Sequence, residues 1–468
     1  LPYTPGGSDD PHKMVGGIAY LKGYIDSLSL IYPSVITVNA GDDFQGSPIS
    51  TLTRGASQVE LLNIVKPDVF TPGNHEFDYG FENLKNLLSK MEFPVISANL
   101  VYKRDGKPLV NPYLIKEVDG VKIGFIGLMT PDLKELTLPE NVSELEVLNP
   151  EETARKIIDE IADEVDIIIA VSHMGVKSDS LLAVRVPELD VIIGGHRHAA
   201  LFEPLIVNNT VICQAGSKGR YLGKLVIWVD AERDTVVRYQ GELLETDNRL
   251  VRPSLDVEQK VEELEGEAGE ELNSIIGYLE NSWIRKGWSE SNIGNWETDV
   301  MREYSGADIA FQNSFGIRKN LEAGPIRVRD IWEINPFGNH FVMFHVTGAE
   351  LKKIIEWQIT NPMEFLQVSG LSYKYNGIKK ELLELKVSGM PIDKMREYSI
   401  VTNNYVFSHF TEFFGLSPEG RKVIHLKDVD RDVFLRAIQR QKRIYRAVEG
   451  RVIDVSRSEA IFKQLIRP

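Results

Sequence analysis

The hexapeptide Gly73-Asn74-His75-Glu76-Phe77-Asp78 brings a neutral oxygen ligand and a proton-transfer pair into one short stretch. The Asn74 amide oxygen suits a hard cation, and His75 with Asp78 forms an imidazole–carboxylate pair suited to acid–base work. Three other stretches deliver the same residue types behind apolar runs. Gly41-Asp42 ends Val35-Ile36-Thr37-Val38-Asn39-Ala40, and His173 ends Asp166-Ile167-Ile168-Ile169-Ala170-Val171-Ser172. Gly195-His196-Arg197-His198 ends Leu189-Asp190-Val191-Ile192-Ile193-Gly194. A carboxylate can bridge two cations with one oxygen on each, which suits Asp42 at the centre of a two-metal site. Asn74, His173 and His196 would complete one metal and His198 would face the other. Mixed nitrogen and oxygen ligands favour Mn²⁺, Zn²⁺, Co²⁺ or Fe²⁺ over Mg²⁺ or Ca²⁺. Two such ions about 3.5–4 Å apart would clamp a phosphoryl group and acidify a bound water as nucleophile. A lone histidine at a strand end is usually structural, but here four of the nine histidines share that position.

The elements that must hold these residues are strands whose carboxyl ends meet, the usual place for sites on open α/β sheets. Residues 16–32 read as a helix, followed by a strand at 34–40, a helix at 56–65, a strand at 68–71 and a helix at 80–91. A strand at 94–100, a hairpin turning at Asp119-Gly120 and a helix at 150–164 lead to the His173 strand. Residues 210–245 alternate as antiparallel strands. The acidic stretch at 258–280 reads as a helix that joins two domains, and an α+β unit follows. The expected layout is a metal-binding domain at 1–247, a linker helix at 248–282 and a second α+β domain at 283–468.

Composition bounds the rest. The chain of 468 residues is long for one domain, and its net charge of −15 argues against a nucleic-acid-binding surface. Its single cysteine, Cys213, excludes an intrachain disulfide and a cysteine-based zinc cluster. No apolar run reaches the roughly 18–20 residues of a membrane span. No signal peptide is visible in a chain that opens at Leu1. The sequence carries no sign of oligomeric state.

Taken in order, Gly41-Asp42, Gly73-Asn74-His75-Glu76, His173 and Gly195-His196-Arg197-His198 resemble the calcineurin-like metallophosphoesterase motifs. The forms Gly-Asp-x-x-x-Gly-x-Pro at 41–48 and Gly-Asn-His-Glu-Phe-Asp at 73–78 are similar to those of the 5′-nucleotidase family. The resemblance implies a four-layer α/β/β/α metallophosphoesterase domain joined by a helix to a C-terminal α+β substrate-binding domain. It makes Asp42 the bridging ligand, gives Asn74, His173 and His196 to one metal, and gives His198 to the other. His75 and Asp78 then match the catalytic dyad. Phe311-Gln312-Asn313-Ser314-Phe315-Gly316-Ile317-Arg318 resembles the family's Asn-Gly-Gly-Gly-Ile-Arg, which assigns phosphate or carboxylate to Arg318 and base or ribose to Asn313. Pro336-Phe337-Gly338-Asn339 matches the segment whose phenylalanine stacks on the base, and Arg285 stands for a further phosphate-binding arginine.

Two departures qualify the resemblance. Asp10-Pro11-His12 has the letters of the first motif, Asp-x-His, without an apolar strand before it, and is read as a loop. The true motif is then expected upstream of Leu1, and the first metal site lacks two ligands in this chain. Where the family has Asn-Phe followed by Gly-Gly-Asp-Gly, this chain has Asn404-Tyr405-Val406-Phe407-Ser408-His409-Phe410-Thr411. Tyr405 retains a π face for stacking. The expected activity is hydrolysis of nucleoside 5′-monophosphates to nucleoside and phosphate by in-line attack of a dimetal-bound hydroxide, with Mn, Zn or Co as the metals. The partner is a nucleotide or another phosphate-ester small molecule. The alternatives are a cyclic-nucleotide phosphodiesterase or nucleotide-sugar pyrophosphatase, and a nucleotide-binding protein without turnover. By resemblance the location is extracytoplasmic, either periplasmic or secreted.

Overall fold

The computed structural model describes residues 1–2, 13–230 and 233–456, and the side chains of 267 and 268 fall outside the description. The expectations for Asp10 and His12 lie outside the described residues. The chain divides into two compact units, 1–268 and 269–468, and the division falls inside the helix Leu255–Asn273.

In the first unit a six-stranded sheet runs in the order Tyr113–Val118, Val121–Met129, Ile167–His173, Val191–Gly194, Thr210–Gln214, Leu205–Val207. Its three central pairings are parallel, and Val171 and Ile192 are fully buried, as strands covered on both faces should be. The helices Pro150–Ile161 and Val176–Arg185 pack Ile157, Ile158, Ile161, Leu182 and Ala183 on one face. On the other face Ile169, Val171 and Val191 share a core with Val69, Val38, Leu225 and Ile227. Those residues belong to the parallel pair Val38–Asn39 and Val69–Phe70 and to the hairpin Tyr221–Asp230 with Thr235–Glu245. Ile18 and Leu62, from the helices Ile18–Ile31 and Ala56–Val65, close the outer side against Phe70 and Phe93. These packings make the α/β/β/α layering expected of the first unit.

Three local expectations change. Thr210–Gln214 joins the six-stranded sheet parallel to Val191–Gly194, because Val211 and Ile212 are apolar enough to be buried on both faces. Residues 94–100 form isolated bridges, Phe70 to Val95 and Ile96 to Asn111, and the strand Leu100–Tyr102 follows them. The acidic helix ends at Asn273, and Ile275–Leu279 pairs with Gly324–Arg327 and Arg443–Ile444. β-Branched and aromatic residues in Ile275-Ile276-Gly277-Tyr278-Leu279 favour that pairing over helix.

The second unit is built on a five-stranded mixed sheet in the order Leu366–Ser369, Ile309–Asn313, Glu397–Asn403, His340–Thr347, Ile424–Val429. Trp296 and Met301 of the helix Asn292–Ser305, with Phe434 and Ile438 of Asp430–Gln441, pack on one face. Leu351 and Ile354 of Gly348–Thr360, with Phe410, Phe413 and Phe414, pack on the other. Among the described residues no helix is long and apolar enough to cross a membrane.

Candidate metal centre and recognition loops

Parallel pairing places the carboxyl ends of Val38–Asn39 and Val69–Phe70 together, and those of Ile167–His173 and Val191–Gly194 together. The two loops after the first pair are then pinned from below. Phe44 and Phe77, one behind each loop, are fully buried in the same apolar cluster. Burying an aromatic ring of this size contributes about 1.5–3 kcal/mol. Glu76 ties the loops from above. Its Oε2 accepts from the backbone N–H of Asp42 (2.9 Å) and Gly73 (2.5 Å), and its Oε1 from Asp43 (2.7 Å) and Phe44 (3.3 Å).

Asp42, His173 and His196 offer ligand atoms that all lie within 4.8 Å of one another. His173 Nδ1 donates to the Ala40 carbonyl at 2.5 Å, which turns Nε2 toward Asp42. That Nε2 stands 3.0 Å from Asp42 Oδ2, but the two are not aligned as a hydrogen bond. His196 Nε2 is likewise buried without a hydrogen-bond partner. Two buried imidazole nitrogens left in this state beside a carboxylate fit a divalent cation. Glycine supplies the space: a Cβ on Gly73 would lie 2.2 Å from Asp42 Oδ1 and 2.5 Å from His173 Cε1. Asp42, His196 and His198 all have left-handed backbones, at φ 67°, 76° and 57°. For residues other than glycine this costs on the order of 1–3 kcal/mol each, and such strain clusters at functional sites.

The electrostatics agree. Burial opposes charge on Asp42, but His75 and His173 outweigh it and hold its carboxyl well below the usual range. Burial, with His173 nearby, pushes His196 down to about 3, so its imidazole is neutral as a ligand must be. Burial and the neighbouring Asp42 and Asp43 raise Glu76 to about 7.

Asn74 is buried, and its Oδ1 lies 3.0 Å from His196 Nδ1. His75 Nδ1 pairs with Asp78 Oδ2 at 2.8 Å, and the His75 backbone N–H donates to Asp42 Oδ1 at 2.8 Å. His198 is exposed and stands outside the Asp42–His173–His196 cluster.

In the second unit the Arg318 guanidinium lies 5.6 Å over the Phe337 ring, and its backbone N–H bonds the Ile334 carbonyl at 2.9 Å. Arg285 is close enough to feel it: burial and then the Arg318 charge lower the Arg285 pKa, and Arg285 Nε is buried without a partner. Two guanidinium groups held near each other suit an anion. Asn313 is buried and its amide is committed within the protein, donating to Glu364 Oε2 (3.1 Å) and accepting from Asn403 Nδ2 (2.9 Å). Asn339 is buried, with its carbonyl accepting from the Asp430 N–H at 2.7 Å. Tyr405 is half-buried and packs its ring on His409, with centroids 4.6 Å apart. The stretch around it forms two short helices, Asn404–Ser408 and Phe410–Phe414.

Sequence pattern alone assigns no role to Glu76, Glu297, Glu364 or Arg431. Glu76 does carry a signal, an acid three residues inside a turn's start, where side chains return to backbone N–H groups. Arg431 holds the Asn335 and Pro336 carbonyls at 3.4 Å and lies 3.7 Å over the Trp332 ring, a role set by folding alone.

The calcineurin-like phosphoesterase family matches residues 10–200, and the 5′-nucleotidase C-terminal domain matches residues 275–416. The chain is 28% identical over 488 residues to the trifunctional nucleotide phosphoesterase protein YfkN of Bacillus subtilis, over 90% of this chain but 33% of that protein. It thus spans about a third of that relative's length. Identity to the 5′-nucleotidase of Rattus norvegicus is 28% over 510 residues, covering 95% of this chain and 87% of the relative. The crystal structure of a 5′-nucleotidase precursor from Thermus thermophilus superposes with a TM-score of 0.87 at 27% identity, covering 97% of this chain and 96% of that one. Both units have their counterpart in these matches: a calcineurin-like phosphoesterase domain precedes a 5′-nucleotidase C-terminal domain, the domain pair of the 5′-nucleotidases that the chain resembles.

Proposed function

We propose that this chain hydrolyses nucleoside 5′-monophosphates to nucleoside and phosphate. The convergence of Asp42, His173 and His196 carries the reading, with the His196 Nε2 buried without a hydrogen-bond partner and the His173 Nε2 3.0 Å from Asp42 Oδ2. Asp42, Asn74, His173, His196 and His198 would hold two divalent ions, with Mn²⁺, Zn²⁺ or Co²⁺ suited to these donors. Such ions supply positive charge for a phosphoryl group and lower the pKa of an attacking water. Asp78 would fix the His75 tautomer through Nδ1 and leave Nε2 for proton exchange with the leaving oxygen. Arg318 and Arg285 would bind anionic oxygens, and Phe337 and Tyr405 would stack the base. With its amide engaged inside the protein, Asn313 would shape that pocket, and Asn339 would hold the Phe337 turn.

Two further readings have support. A relative named as a trifunctional nucleotide phosphoesterase favours more than one nucleotide ester as substrate, which keeps the cyclic-nucleotide and nucleotide-sugar alternatives beside the main reading. The family match opens on Asp10, which favours Asp10 and His12 as ligands of the first metal. One experiment addresses all three: phosphate release from mono-, di- and cyclic esters with Mn²⁺, Co²⁺ or Zn²⁺, alongside metal analysis of wild type and Asp10→Asn/His12→Gln. Metal-dependent release from 5′-monophosphates supports the main reading, and nucleotide binding that survives chelation without any turnover would sink it. The double variant should drop from two bound ions to one; unchanged stoichiometry returns Asp10 and His12 to the loop reading.

A further inference from the structure

Three loops of the second unit carry the proposed recognition residues: 313–318 with Arg318, 335–339 with Phe337, and 403–405 with Tyr405. They are distant in sequence, yet one buried polar network joins them. Glu297, on the helix Asn292–Ser305 and fully buried, accepts from Asn335 Nδ2 at 3.0 Å through Oε1. Through Oε2 it accepts from Gln312 Nε2 at 3.1 Å. Gln312 Oε1 in turn accepts from Asn403 Nδ2 at 2.8 Å, and the same Asn403 amide reaches Asn313 Oδ1 at 2.9 Å. The network ends on Glu364, whose Oε2 takes Asn313 Nδ2 and the Phe315 N–H, each at 3.1 Å.

We propose that Glu297 is a positioning residue for the nucleoside part of the substrate, setting the relative placement of the three recognition loops through this network. The inference rests on the recognition role proposed above for those loops. Each member of the network sits at a point where it controls a loop. Asn335 immediately precedes Pro336-Phe337, and Gln312 and Asn313 lead into the turn before Arg318. Asn403 caps the helix that carries Tyr405, through Oδ1 and the Val406 N–H at 2.8 Å. Fully connected buried networks fix one geometry, because any other arrangement strands a donor in a low-dielectric interior. Within this network Glu297 is the residue that bonds both to the Phe337 loop and to the strand ahead of Arg318. Without its two oxygens, Gln312 and Asn335 lose their shared anchor while the apolar core beneath them is untouched. Loops that only bind the nucleoside make contacts shared by substrate and transition state, so their displacement raises KM and leaves kcat in place.

The test is steady-state kinetics of the full metal-loaded chain on a nucleoside 5′-monophosphate, with the free nucleoside as competitive inhibitor. Glu297→Leu removes both acceptor oxygens at similar volume, and Glu297→Gln keeps one. For Glu297→Leu we expect KM and the nucleoside inhibition constant to rise together by about tenfold, with kcat held within about twofold. Glu297→Gln should recover part of the loss. Asn403→Ser keeps an oxygen for the helix cap but removes both amide donors, and it should show the same split even if Glu297→Leu fails to fold. Unchanged KM in the variants of an active wild type overturns the inference alone. So does a fall in kcat at constant KM, the mark of a merely smaller folded fraction. A wild type that turns over no nucleotide overturns the functional reading and this inference with it.

Discussion

Glu76 holds four backbone N–H groups on two oxygens, and those N–H groups belong to the two loops that carry Asp42 and Asn74. A carboxylate is the only side chain of its length with two acceptor oxygens. Above about pH 8, where Glu76 is a carboxylate, Glu76→Gln turns one of its acceptor oxygens into an NH₂ group facing two donors. Leaving buried donors unpaired costs about 1–3 kcal/mol each, so the variant should lose about 3 kcal/mol of stability. It should also bind metal more weakly, since the loops that aim Asp42 and Asn74 come apart. Denaturant unfolding and metal titration of the variant check this; wild-type stability and wild-type metal affinity together would refute it. The residues around Glu76 illustrate what the sequence makes legible. Asp42, Asn74, His75, His173 and His196 can be picked out because each ends an apolar run, a pattern confined to a few neighbouring letters. Glu297 and Glu364 cannot, since a buried acid looks like a surface acid until partners far along the chain, such as Asn335 and Asn313, are brought against it.

At the level of elements, helices with a clear period are where the sequence is most informative: Ala56–Val65 lies at its expected bounds, and Pro150–Ile161 with the turn Ala162–Glu164 fills the expected 150–164. The pair Asn404–Ser408 and Phe410–Phe414 is different, because its shape depends on packing against Gly348–Thr360. Trp357 Nε1 donates to the Glu412 carbonyl at 2.8 Å and Gln358 Nε2 to the Phe413 carbonyl at 2.6 Å. Gly415 ends the pair at φ 65°, and a Cβ there would stand 2.4 Å from Trp357 Cδ2. Gly415→Ala therefore combines left-handed strain with a clash against a ring held in place, together about 2–4 kcal/mol. The expected result is a lower unfolding midpoint and a higher KM for nucleotides, because Tyr405 rides on the same pair. An unchanged midpoint in calorimetry would show that the pair does not depend on this contact.

At the scale of the whole molecule, buried acids among the described residues titrate late. Burial raises Asp179 to about 7, Asp430 to about 7 and Glu297 to about 8, and burial with Asp42 and Asp43 raises Glu76 to about 7. Their unfolded values are 3.8 for Asp and 4.5 for Glu. Between those limits the folded chain keeps protons that the unfolded chain releases, so stability falls as pH rises, by up to about 1.4 kcal/mol per pH unit for each group. His173, raised because Asp42 outweighs its burial, acts in the same direction. His196, lowered to about 3 by burial, acts oppositely but only below its unfolded value of 6.5. Asp247, held at about 2 chiefly by Arg249, has given its full contribution by pH 5 and does not change the slope above it. The net charge of −15 adds self-repulsion in the same direction as pH rises. The metal-free chain should therefore unfold at a lower temperature at pH 8 than at pH 5.5. Mn²⁺ bound at the Asp42 cluster should flatten the pH dependence of the first unit by opposing the anionic field on Glu76. It should leave the slope of the second unit, where Glu297 and Asp430 lie, in place. Scanning calorimetry with and without Mn²⁺ separates these effects, and Glu297→Gln should flatten the second unit alone. Metal-free stability that holds or rises from pH 5.5 to pH 8 would mean that these acids are ionised in the folded chain.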